Sequence, residues 1–318
     1  MIHITSGDSA ADLLRASGLP GEVIGWRDSA ALGPSPGGIS FAEYRAVRAA
    51  FRGVSAETLQ DVDLLAALPE DEEMVLWFDA CPYDQMILVR LLDWFGAQPA
   101  RRALQLIEVG AFPGVEPFYG LGQLTAEQLA GLFPTRRAVT ESQLALATAA
   151  WRAHGSPDPR EIERLIERVE DGEDLPYLRP ALRRLLEQFP AAEDGLSRTE
   201  RECLEAVAAG ESSFGGIFRA ITRLEEPNHG CWYGDGELLS TLQELAAAPL
   251  PALTQTGDHF ELTELGRALL AGEADWVARH EGDRLQRWQG GVHLEGKKVW
   301  RWERQGGRLL HGTLLSER

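Results

Sequence analysis

Apolar positions in the first third of the chain fall in short runs separated by amphipathic stretches, a spacing that predicts alternating strands and helices. Ile2 to Thr5 is a short run that stops at Gly7, and Ala10, Ala11, Leu13 and Leu14 then follow at helical spacing. A strand, a tight turn and a helix N-terminus are therefore expected in direct succession. Glu22 to Trp26 reads as a second strand, followed by a Gly- and Pro-rich loop from Ala31 to Gly38. Ser40 suits the cap of a helix from Phe41 to Phe51, with Phe41, Tyr44, Val47 and Phe51 on one stripe. Met74 to Phe78 is an unbroken apolar run of the kind buried on both faces. Pro82 fits the first turn of a helix that carries Met86, Ile87, Val89, Leu91 and Leu92 inward, and Leu104 to Val109 is a fourth strand. Strands separated by helices imply right-handed crossovers and a covered parallel sheet, a Rossmann-like α/β domain over residues 1–138.

From Thr140 the strand signals fade. Helices are predicted near 140–154, 158–170 and 176–189, with Pro159 and Pro176 at the starts of the last two, giving a helical connector over 139–194. At Leu196 the pattern changes again. Ser197-Arg-Thr-Glu200 is a capping box ahead of a helix through Ala209, and further helices are expected at Phe214 to Leu224 and Gly236 to Ala247. Leu253 to Thr256 and His259 to Leu262 pair across Gly257-Asp258 as a hairpin. Three helices and a hairpin predict a winged-helix-like domain over 195–318, with a short β tail around Val299-Trp-Arg-Trp-Glu303. The fold class expected is thus α/β plus α+β.

Composition narrows the partners. The chain has 318 residues and a formal net charge of −18, which repels polyanions and disfavours nucleic acid. Acidic side chains outnumber basic ones between Leu196 and Gly272, so the winged-helix-like part is expected to serve packing or protein contact. The tail stands apart, because Lys297, Lys298, Arg301, Arg304 and Arg308 interleave with Trp300 and Trp302. That suits either a single strand of nucleic acid or the two faces of a half-buried sheet. No stretch approaches the ~20 apolar residues of a membrane span, and no secretory leader is evident, so a cytoplasmic protein is expected. Cys81, Cys203 and Cys231 are odd in number and far apart, which predicts reduced thiols.

In a parallel sheet, the loops leaving the strands' carboxyl ends converge on one edge, where ligands bind. Those loops hold Gly7-Asp8-Ser9, Asp28 with Gly33, Asp79 with Tyr83-Asp84-Gln85, and Gly110 to Gln123. Backbone N–H groups after Gly7 favour an anion. Asp8, Asp28, Asp79 and Asp84 offer oxygen ligands for a divalent cation such as Mg²⁺, and Asp8 and Asp84 are equally candidates for a general base. Gly7, Ser9, Asp28, Gly33, Tyr83, Gln85, Gly122 and Gln123 are the candidate ligand-binding residues. Gly120-Leu-Gly-Gln-Leu124 lacks a Walker lysine and reads equally as a loop over this edge or as a plain turn before the helix at Thr125. Arg136-Arg137 is expected at a helix end. Cys81, ahead of a helix N-terminus, is the thiol to watch for a lowered pKa, and His229-Gly-Cys231 lacks partners at zinc spacing. The expected function is binding of a small anionic, nucleotide-like ligand. Whether catalysis follows is left open, and the alternative is a ligand-sensing regulator or a protein-interaction module.

The pattern His3-x-Thr5-x-Gly7-Asp8-Ser9, then Gly18-Leu-Pro-Gly-Glu-Val23 and Trp26-Arg-Asp28 with Gly33-Pro34, resembles a bacterial family known only as a domain of unknown function, numbered 1835. The likeness continues through Leu76-Trp-Phe78, Tyr83-Asp-Gln85 and Gly120-Leu-Gly-Gln-Leu124, and covers roughly residues 1–135. Leu262-Thr-Glu-Leu-Gly-Arg-Ala268 and Trp288-Gln-Gly-Gly-Val-His-Leu294 look like the C-terminal region that often accompanies that family. The resemblance implies that these motifs belong together and brings no activity with it. Where the family often shows a glutamate and a histidine after the third strand, this chain has Asp79-Ala-Cys81.

Overall fold

The alternation of runs and stripes becomes β1 (Ile2–Ser6), α1 (Gly7–Ala16), β2 (Glu22–Trp26), β3 (Gly33–Pro34), α2 (Phe41–Arg52), β4 (Met74–Asp79), α3 (Pro82–Gly96) and β5 (Leu104–Val109). Then come α4 (Ala126–Leu132), β6 (Arg137–Ala138), α5 (Glu141–His154), α6 (Arg160–Arg168) and α7 (Leu178–Leu186). The computed structural model describes residues 1–59, 62–98, 102–169, 174–225, 232–279, 286–296 and 299–312. It divides into two units, Met1–Leu182 with Gly290–Val292, and Arg183–Gln289 with His293–Arg318.

The first unit is a mixed α/β structure around a five-stranded sheet of order β2-β1-β4-β5-β6. The first four strands run parallel, and β6 closes the edge antiparallel to β5. On one face Val75, Trp77, Ile107 and Val109 pack on Ala10 and Leu14 of α1, Leu129 of α4, and Phe118, Leu121 and Leu124. The other face presents Met74, Leu76 and Phe78, all buried, and α3 packs against β4 and α5. α3 is enclosed along its length, with Met86 to Leu92 buried at every position. His3, one strand from Trp77, ties the sheet laterally. Its Nδ1 accepts the Trp77 Nε1–H at 3.0 Å, which leaves Nε2 to donate to the Pro20 carbonyl at 3.1 Å.

Three local expectations are corrected. α2 starts at its predicted cap, Ser40, in a full capping box, but it buries Tyr44, Arg48 and Ala49. Phe41 and Phe51 are left 48% and 45% exposed. The helix is turned so that Arg48 reaches Asp28, and hydrophobic patterning cannot anticipate an arginine as the inward residue. Gly33-Pro34, expected within a loop, forms a two-residue strand, and the neighbouring Ser35 N–H donates to the Gly290 carbonyl at 2.7 Å. Arg137 lies in edge strand β6 instead of at a helix end, and Arg136 stacks over Phe133 at 4.0 Å.

His154, at the end of α5, is 2% exposed; its Nε2 donates to the Ala30 carbonyl at 2.8 Å and its Nδ1 has no hydrogen-bond partner. Burial, against the help of that hydrogen bond and with the hindrance of Arg48, pushes its pKa down to about 4 from 6.5. The unfolded chain therefore binds a proton below about pH 6.5 that the folded chain refuses until about pH 4. This contribution is complete above that window and lost as pH falls through it. Lowering pH from 7 to 5 is expected to cost about 2 kcal/mol through this residue, and His154→Gln should remove that part of the dependence in urea titrations at the two pH values.

The second unit contains α8 (Arg198–Ala208), α9 (Phe214–Leu224), α10 (Asp235–Ala247), β7 (Leu253–Thr256), β8 (His259–Leu262), α11 (Glu264–Leu270) and α12 (Trp276–Arg279). Next are β9 (Gln286–Gly290), β10 (Val292–Glu295), β11 (Trp300–Glu303) and β12 (Arg308–His311). α8 opens on the predicted capping box, packs on α9, α10, α11 and β8, and encloses Leu204 with Ile217, Ile221, Leu238, Leu242 and Phe260. β7 and β8 pair from Leu253↔Leu262 to Thr256↔His259, as the Gly257-Asp258 turn predicts.

The tail's alternation of charge and aromatics is strand packing. Arg301 is 1% exposed and donates to Asp275 at 2.9 Å and to the Ala191 carbonyl at 3.0 Å. Arg304 forks onto Asp194, Arg308 binds Glu303, and Trp302 is buried. These three arginines are each paired with a carboxylate of the chain. Lys297, Lys298, His229 and Cys231 lie outside the described residues. Among the described residues, no helix is long and apolar enough to cross a membrane, and Cys81 and Cys203 are both buried.

Candidate functional site

Strand order locates the site. From β1 the chain moves outward to β2, then returns across β1 to β4, so the order reverses between β1 and β4. The carboxyl ends of two parallel strands that diverge in this way leave a crevice, because their following connections leave to opposite sides. A cavity of about 290 Å³ occupies that crevice, lined by the Ser6–Ala10 turn, Asp79 and the Tyr119–Gln123 loop.

Each wall has a local cause. β1 passes into α1 through Gly7, whose φ of +62° lets the chain turn from strand to helix without spacer residues. Ser6, the helix N-cap, makes no capping hydrogen bond with its side chain. Its hydroxyl is engaged instead by Asp84. The N–H groups of the first turn are thus not capped by the Ser6 side chain at the cavity wall. β4 ends at Asp79, which is 7% exposed. Its Oδ1 accepts the Cys81 N–H at 3.0 Å, its N–H donates to Asp84 Oδ2 at 2.9 Å, and its carbonyl accepts Gln85 Nε2 at 2.9 Å. The third wall packs close through glycine. A Cβ on Gly120, where φ is +152°, would collide with Asp79 Oδ2, and one on Gly122 would sit 2.8 Å from Ser9 Oγ. Gln123 fixes this loop, its Oε1 accepting the N–H groups of Tyr119 and Gly120 and its Nε2 donating to the Pro117 carbonyl.

Beneath the cavity floor, Asp84 is 2% exposed. Burial first, and then the Asp79 carboxylate beside it, hold its pKa well above the ordinary carboxylate range. Asp79, Cys81 and Asp84 bring their ligating atoms within 4.8 Å of one another. The donor set fits Mg²⁺ poorly. That ion takes six oxygens and keeps several waters, whereas this cluster is buried and holds a thiol. Cys81 departs from expectation. Burial, and then Asp79 and Asp84, push its thiol well above its usual value, outweighing the helix N-terminus and leaving it un-ionised.

Of the residues expected from sequence, Gly7, Asp8, Ser9, Gly122 and Gln123 line the cavity. Asp8 sits at its exposed rim in an ion pair with Arg27 at 2.8 Å. Asp84 and Gln85 lie under it. Gln85 Nε2 also donates to Glu108 at 3.3 Å, and burial raises that carboxyl's pKa to about 7. Asp28, Gly33 and Tyr83 are not lining residues. Asp28 is held by Arg48 at 2.6 Å, Gly33 gives way to the Phe51 ring, and Tyr83 braces the second loop through its hydroxyl to the Arg27 carbonyl at 2.9 Å. The four aspartates therefore do not form one cluster. Ser6 and Tyr119 were not singled out from sequence; the signal for Ser6 was its place at the strand end immediately before Gly7.

No protein-family model matches the chain, and no curated protein sequence matches it at a significant level.

Proposed function

We propose that this protein binds a small anionic ligand at the carboxyl edge of its parallel sheet. The observation that carries the reading is the cavity between β1 and β4 with the uncapped N-terminus of α1 in its wall. Amide N–H groups there supply partial positive charge in a fixed position, and an anion satisfies donors that are otherwise left to water. The first unit is read as Rossmann-like, which agrees with the reversal of strand order at the cavity. It is the part of the chain that resembles the domain of unknown function numbered 1835, in a protein read as bacterial and cytoplasmic. The buried Asp79–Asp84 pair, in which burial and then Asp79 raise the Asp84 pKa, is compatible with acid–base chemistry on the ligand.

A second reading concerns the other unit, whose three helices and hairpin we take as winged-helix-like. Arg198 and Arg201 of α8 are bound to Glu202, Glu187, Asp194 and Glu205. This supports protein contact over DNA, because those cations are already neutralised.

The first reading is tested by the melting temperature of the full chain against phosphate, sulfate, sugar phosphates and nucleotides, with and without Mg²⁺. A ligand at a hundred times its Kd should add about 2.7 kcal/mol of stability. Ser9→Glu places a carboxylate at the α1 end and should abolish the shift. No stabilisation by any anion, or full stabilisation in Ser9→Glu, would refute an anion site there.

A further inference from the structure

Independently of the anion reading, we infer that the outward face of α2 is an interface at which two copies of this chain pair, helix against helix and antiparallel. Seven large hydrophobic side chains are exposed among the described residues, and four of them, Ile39, Phe41, Phe51 and Val54, belong to α2 and its two flanks. Scattered singly, such residues need no explanation; gathered on one helix, they mark a contact surface. The inward face of α2 is committed to Tyr44, Arg48 and Ala49. Outward, Ala42, Ala46 and Ala50 are exposed, Val47 beside them is half-buried, and Phe51 is 45% exposed. Positions 42, 43, 46, 47, 50 and 51 keep the spacing, three and four apart, of a helix face packed on another helix. Each flank lengthens the row by one apolar side chain. Ile39 precedes the Ser40 cap, and beyond Gly53 the Val54 N–H turns back to the Ala49 carbonyl at 3.0 Å.

Symmetry and charge name the occupant. The row reads alike from both ends about a point between Ala46 and Val47, as a face that meets its own copy must. A two-fold axis there sets Ile39 against the partner's Val54, and Ala42 against the partner's Phe51, small against large. α2 carries three arginines and one glutamate, the reverse of the chain's balance of 31 basic to 49 acidic residues. Two molecules of net charge −18 therefore approach through this face with the least repulsion. Glu43, the one charge in the row, accepts from the N–H and the hydroxyl of its own cap, Ser40, at 2.8 Å. The first turn is acidic at Glu43 and the last is basic at Arg52, so antiparallel pairing brings unlike ends together and parallel pairing like ends. A row about 22 Å long on a helix about 10 Å across falls well short of the ~800 Å² that each partner gives a stable complex, so the pair is reversible and forms at high concentration.

The test is sedimentation velocity of the full chain over about a hundredfold range of concentration, at low and at moderate salt. The unaltered chain is expected to shift from monomer toward dimer as concentration rises, and further in salt, which screens the net charge. Ala46 lies beside the axis, so Ala46→Glu and Ala46→Arg each bring like charges together and should hold the chain monomeric at every concentration. Their melting temperatures should stay close to that of the unaltered chain, because both residues suit an exposed helix position. Mixed in equal amounts, the two variants should associate again, since only a face that meets its own copy sets position 46 against position 46. A chain that is monomeric at every concentration and salt would overturn the pairing and leave the face to a different partner. Association that survives Ala46→Glu, or a mixture of the two variants that stays monomeric, would also overturn it by placing the contact elsewhere.

Discussion

Replacing Arg184 by leucine is expected to destabilise the second unit by about 3–5 kcal/mol, because it strands a buried carboxylate. Arg184 is 1% exposed and Glu225 is fully buried. The guanidinium donates to Glu225 at 2.8 Å through Nε and again through Nη2, and also reaches Gln188 and Thr199 at 3.2 Å. Glu202, 3.9 Å away, stays protonated near neutrality because burial and then Glu225 raise its pKa to about 8. Without Arg184, the fully buried Glu225 loses its nearest cation, and Arg198 stands farther off, at 3.4 Å. All the groups Arg184 binds are side chains, and that makes the prediction separable from a general packing loss. In the double variant Arg184→Leu, Glu225→Leu, much of the lost stability should return, since an apolar pair replaces an apolar–charged mismatch. Urea unfolding of the two variants measures this. A double variant no more stable than the single one would show that the pair's charges were not the cause.

Arg48→Leu is expected to cost as much, about 3–5 kcal/mol, and not to be rescued in the same way. Arg48 is fully buried, and its guanidinium holds Asp28 at 2.6 and 2.8 Å. It also donates to the backbone carbonyls of Ser29, Leu32 and Pro34, drawing the loop after β2 around itself. A buried acceptor left without its donor costs about 1–3 kcal/mol, and a carbonyl cannot be mutated away. Arg48→Leu, Asp28→Leu therefore removes the orphaned carboxylate but leaves three orphaned carbonyls, and should stay close to the single variant in urea titration. Recovery comparable to that of the Arg184–Glu225 pair would show that the backbone bonds contribute little. The two arginines look alike in sequence, each on an amphipathic helix, and differ only in what they were folded against.

The elements themselves were legible. β1, β2, β4 and β5 fall on the apolar runs, α3 begins at its proline, and α8 and the β7–β8 hairpin follow their capping box and Gly257-Asp258 turn. These signals are local: a period of two or 3.6, a cap or a turn is complete within a few residues. Two-residue strands such as β3 and β6 have no period to detect, and they exist only because a neighbouring strand or loop offers hydrogen-bond partners.

The candidate site was half legible for the same reason. Gly7, Asp8 and Ser9 could be placed at a strand-to-helix turn from their neighbours alone, and Gly120 to Gln123 as a loop over the same edge. Which aspartates face the crevice was not available locally. Asp28 and Asp79 look alike in sequence, each at or just past the end of a strand, yet one is locked to an arginine twenty positions away and the other lines the cavity. The sequence by itself determined where the chain turns from strand to helix, because backbone conformation and amphipathic spacing are local properties. Only the tertiary structure decided that β1 lies beside β4, that Asp84 is buried beside Asp79 with its pKa raised, and that Arg48 points inward. Those outcomes depend on burial and on charges brought together from distant positions, and both come into being only when the layers pack.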